Sequence, residues 1–95
     1  MLSMNQVHVQ IIGSVQGIGY RQFAKKEARR RDITGWVRNL PDGSVEALLQ
    51  GEKADLDGLL KKLKQGPFMA DVKDMQIDWE DMEEQLSDFV ILPSV

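Results

Sequence analysis

Val7-His8-Val9-Gln10-Ile11-Ile12-Gly13-Ser14-Val15-Gln16-Gly17-Ile18-Gly19-Tyr20-Arg21 is the stretch on which the fold turns. Its first six residues alternate apolar and polar, the period-2 signature of a half-buried strand with Val7, Val9 and Ile11 facing a core. Residues 13–19 hold three glycines and cannot continue a strand or nucleate a stable helix, so they form a shaped loop. From Tyr20 to Arg31 the residues Tyr20, Phe23, Ala24 and Ala28 share one face of an amphipathic helix. Lys25, Lys26, Arg29 and Arg30 lie mostly outside, the basic end where the macrodipole favours it. Strand, glycine loop and helix make the first half of a βαβ unit.

The same reading extends outward. Residues 33–39 and 44–49 are strands joined by Leu40-Pro41-Asp42-Gly43, a hairpin turn. Gly35 within the first of them marks a close backbone approach or a bulge. Leu56, Leu59, Leu60 and Leu63 repeat at helical spacing in a second helix that starts near Glu52 and is stopped by Gly66-Pro67. A strand covers residues 70–80, and its apolar phase slips between Val72 and Met75, which predicts a bulge. Residues 81–84 are an acidic loop and residues 89–92 a short closing strand. The order β-α-β-β-α-β-β, with right-handed crossovers, places both helices on one face of a mainly antiparallel sheet. That is an α+β two-layer sandwich of the ferredoxin-like type, with the other sheet face open to water.

Ninety-five residues suit one domain, here 7–95, preceded by a frayed tail over residues 1–6. There is no cysteine, which excludes disulfides, thiolate metal sites and cysteine nucleophiles. Twelve Lys+Arg against fifteen Asp+Glu give a net charge of −3, which argues against a dedicated nucleic-acid binder. No apolar run approaches the roughly 18 residues of a membrane span, and the N-terminus lacks a secretory pattern, so the expected location is the cytoplasm.

A glycine loop opening a helix is an anion site in physical terms. Consecutive N–H groups can turn toward one point and the helix start leaves further donors unpaired. The dipole alone contributes only about 0.3–1 kcal/mol when exposed, so a phosphate needs a charged partner. Arg21 stands in the first helical turn with a guanidinium fork that matches two phosphate oxygens. The plainer alternative is a tight turn with Arg21 in solvent. A Walker loop and a dinucleotide fingerprint both fail: no Lys-Ser/Thr follows the glycines, and Gly17-Ile18-Gly19 continues as Tyr20-Arg21-Gln22.

The residues Gly13-Ser14-Val15-Gln16-Gly17-Ile18-Gly19-Tyr20-Arg21 resemble the signature loop of acylphosphatases, Gly-x-Val-Gln-Gly-Val-x-Phe/Tyr-Arg. Gly35-Trp36-Val37-Arg38-Asn39 is similar to that family's second signature, Gly-x-Val-x-Asn. Asp42-Gly43-Ser44-Val45-Glu46, Gly51 and Gly66-Pro67 with Ala70 and Val72 also fall at family-like positions, so the likeness covers about residues 7–92. It implies a ferredoxin-like fold and hydrolysis of the carboxyl–phosphate bond of small acyl phosphates, with no cofactor and no metal, by a monomer. It further implies that Arg21 binds phosphate, that Asn39 holds the attacking water, and that the amides of Gln16, Gly17, Ile18, Gly19 and Tyr20 form the cradle. Gly19 stands where the family often carries a bulkier residue, which implies a more mobile loop.

Other residues read more plainly. Asn39 ends a strand before a turn, where asparagine also serves local hydrogen bonding. His8 is a strand histidine on the open face, with a structural or solvated role. Asp55-Leu56-Asp57-Gly58 looks like a phosphatase aspartate motif but lies in the leucine-striped helix, so these are solvated positions. Asp78, Glu80, Asp81, Glu83 and Glu84 lack calcium-loop spacing and make an acidic rim. Lys25, Lys26, Arg29, Arg30 and Arg31 complement the helix dipole rather than form a nucleic-acid patch. Trp36 and Trp79 pack or pair across the sheet. Two other functions fit the topology. One is a non-catalytic phosphate or carbamoyl-phosphate-type binding module, against which an intact Asn39 argues. The other is an RNA-binding sheet, but residues 7–12 and 44–49 hold no Phe, Tyr or Trp on which bases could stack.

Overall fold

A computed structural model describes residues 4–95. The elements are β1 (Asn5–Ser14), α1 (Tyr20–Arg29), β2 (Thr34–Asn39), β3 (Val45–Gly51), α2 (Lys53–Gln65), β4 (Asp71–Glu80) and β5 (Phe89–Ile91). They build one five-stranded sheet in the order β4-β1-β3-β2-β5. Every neighbouring pair is antiparallel except β2 with β5, which is parallel. Both helices pack on one face, giving the expected ferredoxin-like α+β sandwich. Among the described residues no helix is long and apolar enough to cross a membrane.

The core follows the alternation read from the sequence. Val7, Val9 and Ile11 of β1, Val45, Ala47 and Leu49 of β3 and Val37 of β2 are buried against Tyr20, Ala24 and Ala28 of α1 and the four leucines of α2. The slip in β4 is real. Ile12 pairs with Asp74 and Gly13 with Val72, so Lys73 is the extra residue of a bulge. Gly35 makes the close approach rather than a bulge: it pairs with Leu49 in register, and a Cβ there would lie 1.8 Å from the Leu48 carbonyl oxygen.

Three expectations need correction. The strand begins at Asn5, not Val7: Asn5 and Gln6 pair with Gly51 and Gln50, so the expected tail over residues 1–6 shrinks, and residues 1–3 lie outside the described part. Helix α1 stops at Arg29, not Arg31, because Asp32 turns left-handed at φ 55°. The Ile33 amide donates to the Ala28 carbonyl and the Asp32 amide to that of Arg29, the Schellman closure of a helix end. The outer sheet face is also only partly open. The chain after β4 crosses one end of it, where the fully buried Gln50 donates to Gln6 Oε1 (2.8 Å) and the Glu84 carbonyl (2.6 Å) and accepts from the Leu86 amide (2.8 Å). A buried carboxamide demands such partners, and this segment supplies them.

Candidate active site

Strands β1 and β2 both run antiparallel to β3, so they are parallel to each other and about 10 Å apart. Ser14 and Asn39 therefore leave the sheet at the same edge. Loop 15–19 starts beside one and the hairpin turn 40–44 beside the other. Between them lies a cavity of about 160 Å³ walled by Gly17, Gly19, Tyr20, Arg21 and Asn39, with Val15, Gln22 and Ile91 completing it.

The donors converge for local reasons. Gly17 and Gly19 take φ of 78° and 79°, the left-handed region that glycine enters without strain, and this reversal aims the loop at the helix start. The Gly19 carbonyl accepts the first helical bond from the Phe23 amide (3.0 Å), which leaves the amides of Tyr20, Arg21 and Gln22 without intrahelical partners. No side chain caps this end and no acidic residue stands in the first turn, so its positive potential is not neutralised from within. Arg21 is half-buried and lines the cavity, and its side chain makes no hydrogen bond or ion pair with any described residue. Asn39 is half-buried too, and its Oδ1 is a buried acceptor with no partner. Such an orphan costs about 1–3 kcal/mol unless a ligand or water fills it.

Tyr20 belongs to the wall through its main chain. Its side chain is 2% exposed, and the hydroxyl donates to the Leu63 carbonyl of α2 at 2.5 Å. Burial pushes the phenol well above its ordinary value of 10.0. No Asp, Glu or His lines the cavity.

A larger cavity of about 450 Å³ sits on the outer sheet face, over Trp36 and Leu48. It is rimmed by Glu80, Asp81, Glu83 and Glu84 and has no cation in its wall. That field repels a phosphoryl group, so of these two cavities the smaller is the one suited to an anion. Among the described residues no three carboxylate or imidazole groups converge as metal ligands. On the same face His8 Nε2 lies 2.7 Å from Glu46 Oε2 and Arg38 Nε donates to Glu46 Oε1 at 2.6 Å. Burial alone would raise the Glu46 carboxyl, but these hydrogen bonds outweigh it and hold it below its usual range. Trp36 carries Arg38 over its ring at 5.0 Å, and Trp79 carries Lys53 at 4.8 Å.

Of the residues expected at the site, the structure brings Gly17, Gly19, Tyr20, Arg21 and Asn39 to one cavity. Gln16 and Ile18 are not in its wall: Ile18 packs on the core, and the Gln16 side chain reaches the hairpin turn. Val15, Gln22 and Ile91 were not anticipated. Ile91 arrives through the parallel pairing of β5 with β2, for which no local pattern exists.

The acylphosphatase family profile matches residues 7–91. An acylphosphatase of Alcanivorax borkumensis is 54% identical over 69 residues, covering 73% of this chain and 75% of its own. One of Pyrobaculum aerophilum is 41% identical over 95 residues, covering 99% and 100%. The crystal structure of an acylphosphatase from Bacillus subtilis superposes with a TM-score of 0.90 at 32% identity, over 95% of this chain and 99% of that one. Likeness that runs from the first strand to the last, in residues and in backbone alike, leaves one assignment: this chain belongs to the acylphosphatase family.

Proposed function

We propose that the protein hydrolyses the carboxyl–phosphate bond of small acyl phosphates, with Arg21 and the amides of Gly17, Gly19 and Tyr20 holding the phosphoryl group and Asn39 positioning the attacking water. The observation that carries this reading is that Asn39, whose buried Oδ1 has no hydrogen-bond partner, and Arg21, whose guanidinium pairs with no described residue, line the same cavity. A phosphoryl group supplies the anion that the guanidinium lacks, and the Asn39 side chain in the same wall is the group proposed to orient a hydrolytic water beside it.

In the proposed reaction the water oxygen attacks phosphorus as the bond from phosphorus to the acyl oxygen breaks. That electron pair leaves with the carboxylate, a stable anion, so no strong general acid is required. The proton released by the water passes to a phosphoryl oxygen, giving a carboxylate and protonated inorganic phosphate. A cavity without Asp, Glu or His fits this route, because no wall side chain is placed to take the proton. Charge on the equatorial oxygens is met by the guanidinium and the helix-start amides, the electrostatic contribution that dominates phosphoryl transfer.

The test is phosphate release from acetyl phosphate and benzoyl phosphate by the purified protein in the presence of a chelator. The parent turns over repeatedly. Arg21→Ala loses at least about 10³-fold in kcat/KM, since more than one donor goes. Asn39→Ala loses roughly 10²–10³-fold in kcat while inorganic phosphate still inhibits. Full activity in either variant rejects that residue's role. Tight phosphate binding with no multiple turnover in the parent establishes instead the non-catalytic binding module.

A further inference from the structure

The side chain of Gln16 has an assignment that its place in the loop does not reveal. Its Nε2 donates to the Leu40 carbonyl and to the Ser44 carbonyl, each at 2.8 Å, so both hydrogens of one carboxamide are used across the gap between the loop and the hairpin turn. Both acceptors lie one rung beyond Asn39, on the turn side of its pair with Val45. Leu40 follows it directly, and Ser44 precedes Val45, its register partner on β3. These two residues also close the turn on each other, through the Leu40 amide donating to the Ser44 carbonyl at 2.9 Å.

The far side of the turn is fixed as well. The Ser44 amide and hydroxyl both donate to Asp42 Oδ1, at 2.9 and 2.5 Å, and Gln10 Nε2 donates to the Ser44 hydroxyl at 2.9 Å. The Val95 amide donates to the Asn39 carbonyl at 3.1 Å. The turn is therefore a braced unit, and within the described residues the Gln16 carboxamide is the hydrogen-bonded tie between it and loop 15–19.

We infer that Gln16 is a positioning residue: through this tie it sets the separation between the phosphoryl cradle and the Asn39 carboxamide, and so the line along which water meets phosphorus. The inference rests on the function proposed above. A displacement of about 1 Å in such a pair costs on the order of 10²-fold in rate, while a cradle made of main-chain amides and Arg21 still binds an anion.

The test is Gln16→Met, which keeps the length of the chain and removes both donors, compared with Asn39→Ala and with the double variant. The readouts are kcat on benzoyl phosphate, inhibition by inorganic phosphate, and thermal unfolding. The expected result is kcat lower by about 10- to 100-fold, phosphate inhibition changed less than about threefold, and a double variant no slower than Asn39→Ala, because the tie acts through that residue. Losses that multiply in the double variant, or an unchanged kcat in Gln16→Met, overturn the inference. Should Gln16→Met not fold, Gln16→Glu serves. Its carboxylate faces two carbonyl oxygens and its protonated form restores one donor, so its rate relative to the parent rises as pH falls, and a flat ratio overturns the assignment. If Asn39→Ala is as fast as the parent, the proposed role of Asn39 fails and takes this one with it. If Asn39→Ala is slow and Gln16→Met is not, only the tie fails.

Discussion

Replacing Tyr20 with Phe separates the scaffold of the site from its chemistry. The ring is buried and would remain so; what leaves is a hydroxyl donating to the Leu63 carbonyl at 2.5 Å. Leu63 lies in the last turn of α2, where carbonyls have no intrahelical donor, so the variant strands an acceptor in the core. The lost hydrogen bond and the unsatisfied carbonyl together cost about 1.5 kcal/mol, or roughly 6–12 °C in Tm for a domain of this size. The cradle uses the main chain at this position, so kcat is expected to stay within about twofold of the parent.

Alkaline pH gives the same argument an independent sign. Burial raises the folded-state phenol pKa above its unfolded value of 10.0. The contribution is thus complete below that value and is lost as pH rises beyond it, at about 1.4 kcal/mol per unit. Tyr20→Phe lacks this loss, so urea curves for the two proteins, separated at pH 8, are expected to meet near about pH 11. Tyr20 is the single tyrosine of the chain, so tyrosinate absorbance reports on it alone and should appear only with unfolding. A Tyr20→Phe protein of unchanged Tm that has lost activity 100-fold would refute the reasoning, since the hydroxyl would then act on substrate.

Two further variants test how the frame is held. Gly35→Ala sets a methyl 1.8 Å from the Leu48 carbonyl oxygen at a φ of 141°, so strain and clash together are expected to cost about 3 kcal/mol or more in urea denaturation. A loss below about 1 kcal/mol would contradict the close approach. Gln50→Leu strands Gln6 Oε1, the Glu84 carbonyl and the Leu86 amide, and is expected to cost about 3 kcal/mol. Limited proteolysis should then cut within residues 81–88 while phosphate release stays at the parental rate, because this face is remote from Asn39.

What the sequence disclosed was whatever has a local period. Four leucines at helical spacing, the alternation around Val9, the phase slip near Val72 and the hairpin at Pro41 each report their own geometry, and each element is found within a few residues of its expected bounds. The site was legible to the extent that it is main chain: glycines before a helix start, then Arg21. Polar groups satisfied at long range were not legible. Gln6 and Gln50 look like surface residues until each is seen bonded to the other. Glu27 sits in a basic helix end, yet it is buried because Arg30 and Arg31 both reach it. Their hydrogen bonds and charges, that of Arg31 foremost, outweigh its burial and keep the carboxyl below its usual range. The tie from Gln16 is of the same kind, since a glutamine's spacing in a motif does not say where its carboxamide goes.

The pairing of β1 with β4 has a consequence for biogenesis. Gly13 and Ser14, which launch the loop, are registered against Val72 and Asp71, residues nearly sixty positions later. Closing so distant a ladder is slow compared with forming either helix. A nascent chain that has emerged only as far as α2 already contains Arg21 and Asn39 but lacks the outer neighbour that anchors the loop's first residue. Anchorage of the loop is thus a late event in folding, arriving with the penultimate strand rather than with the signature residues themselves.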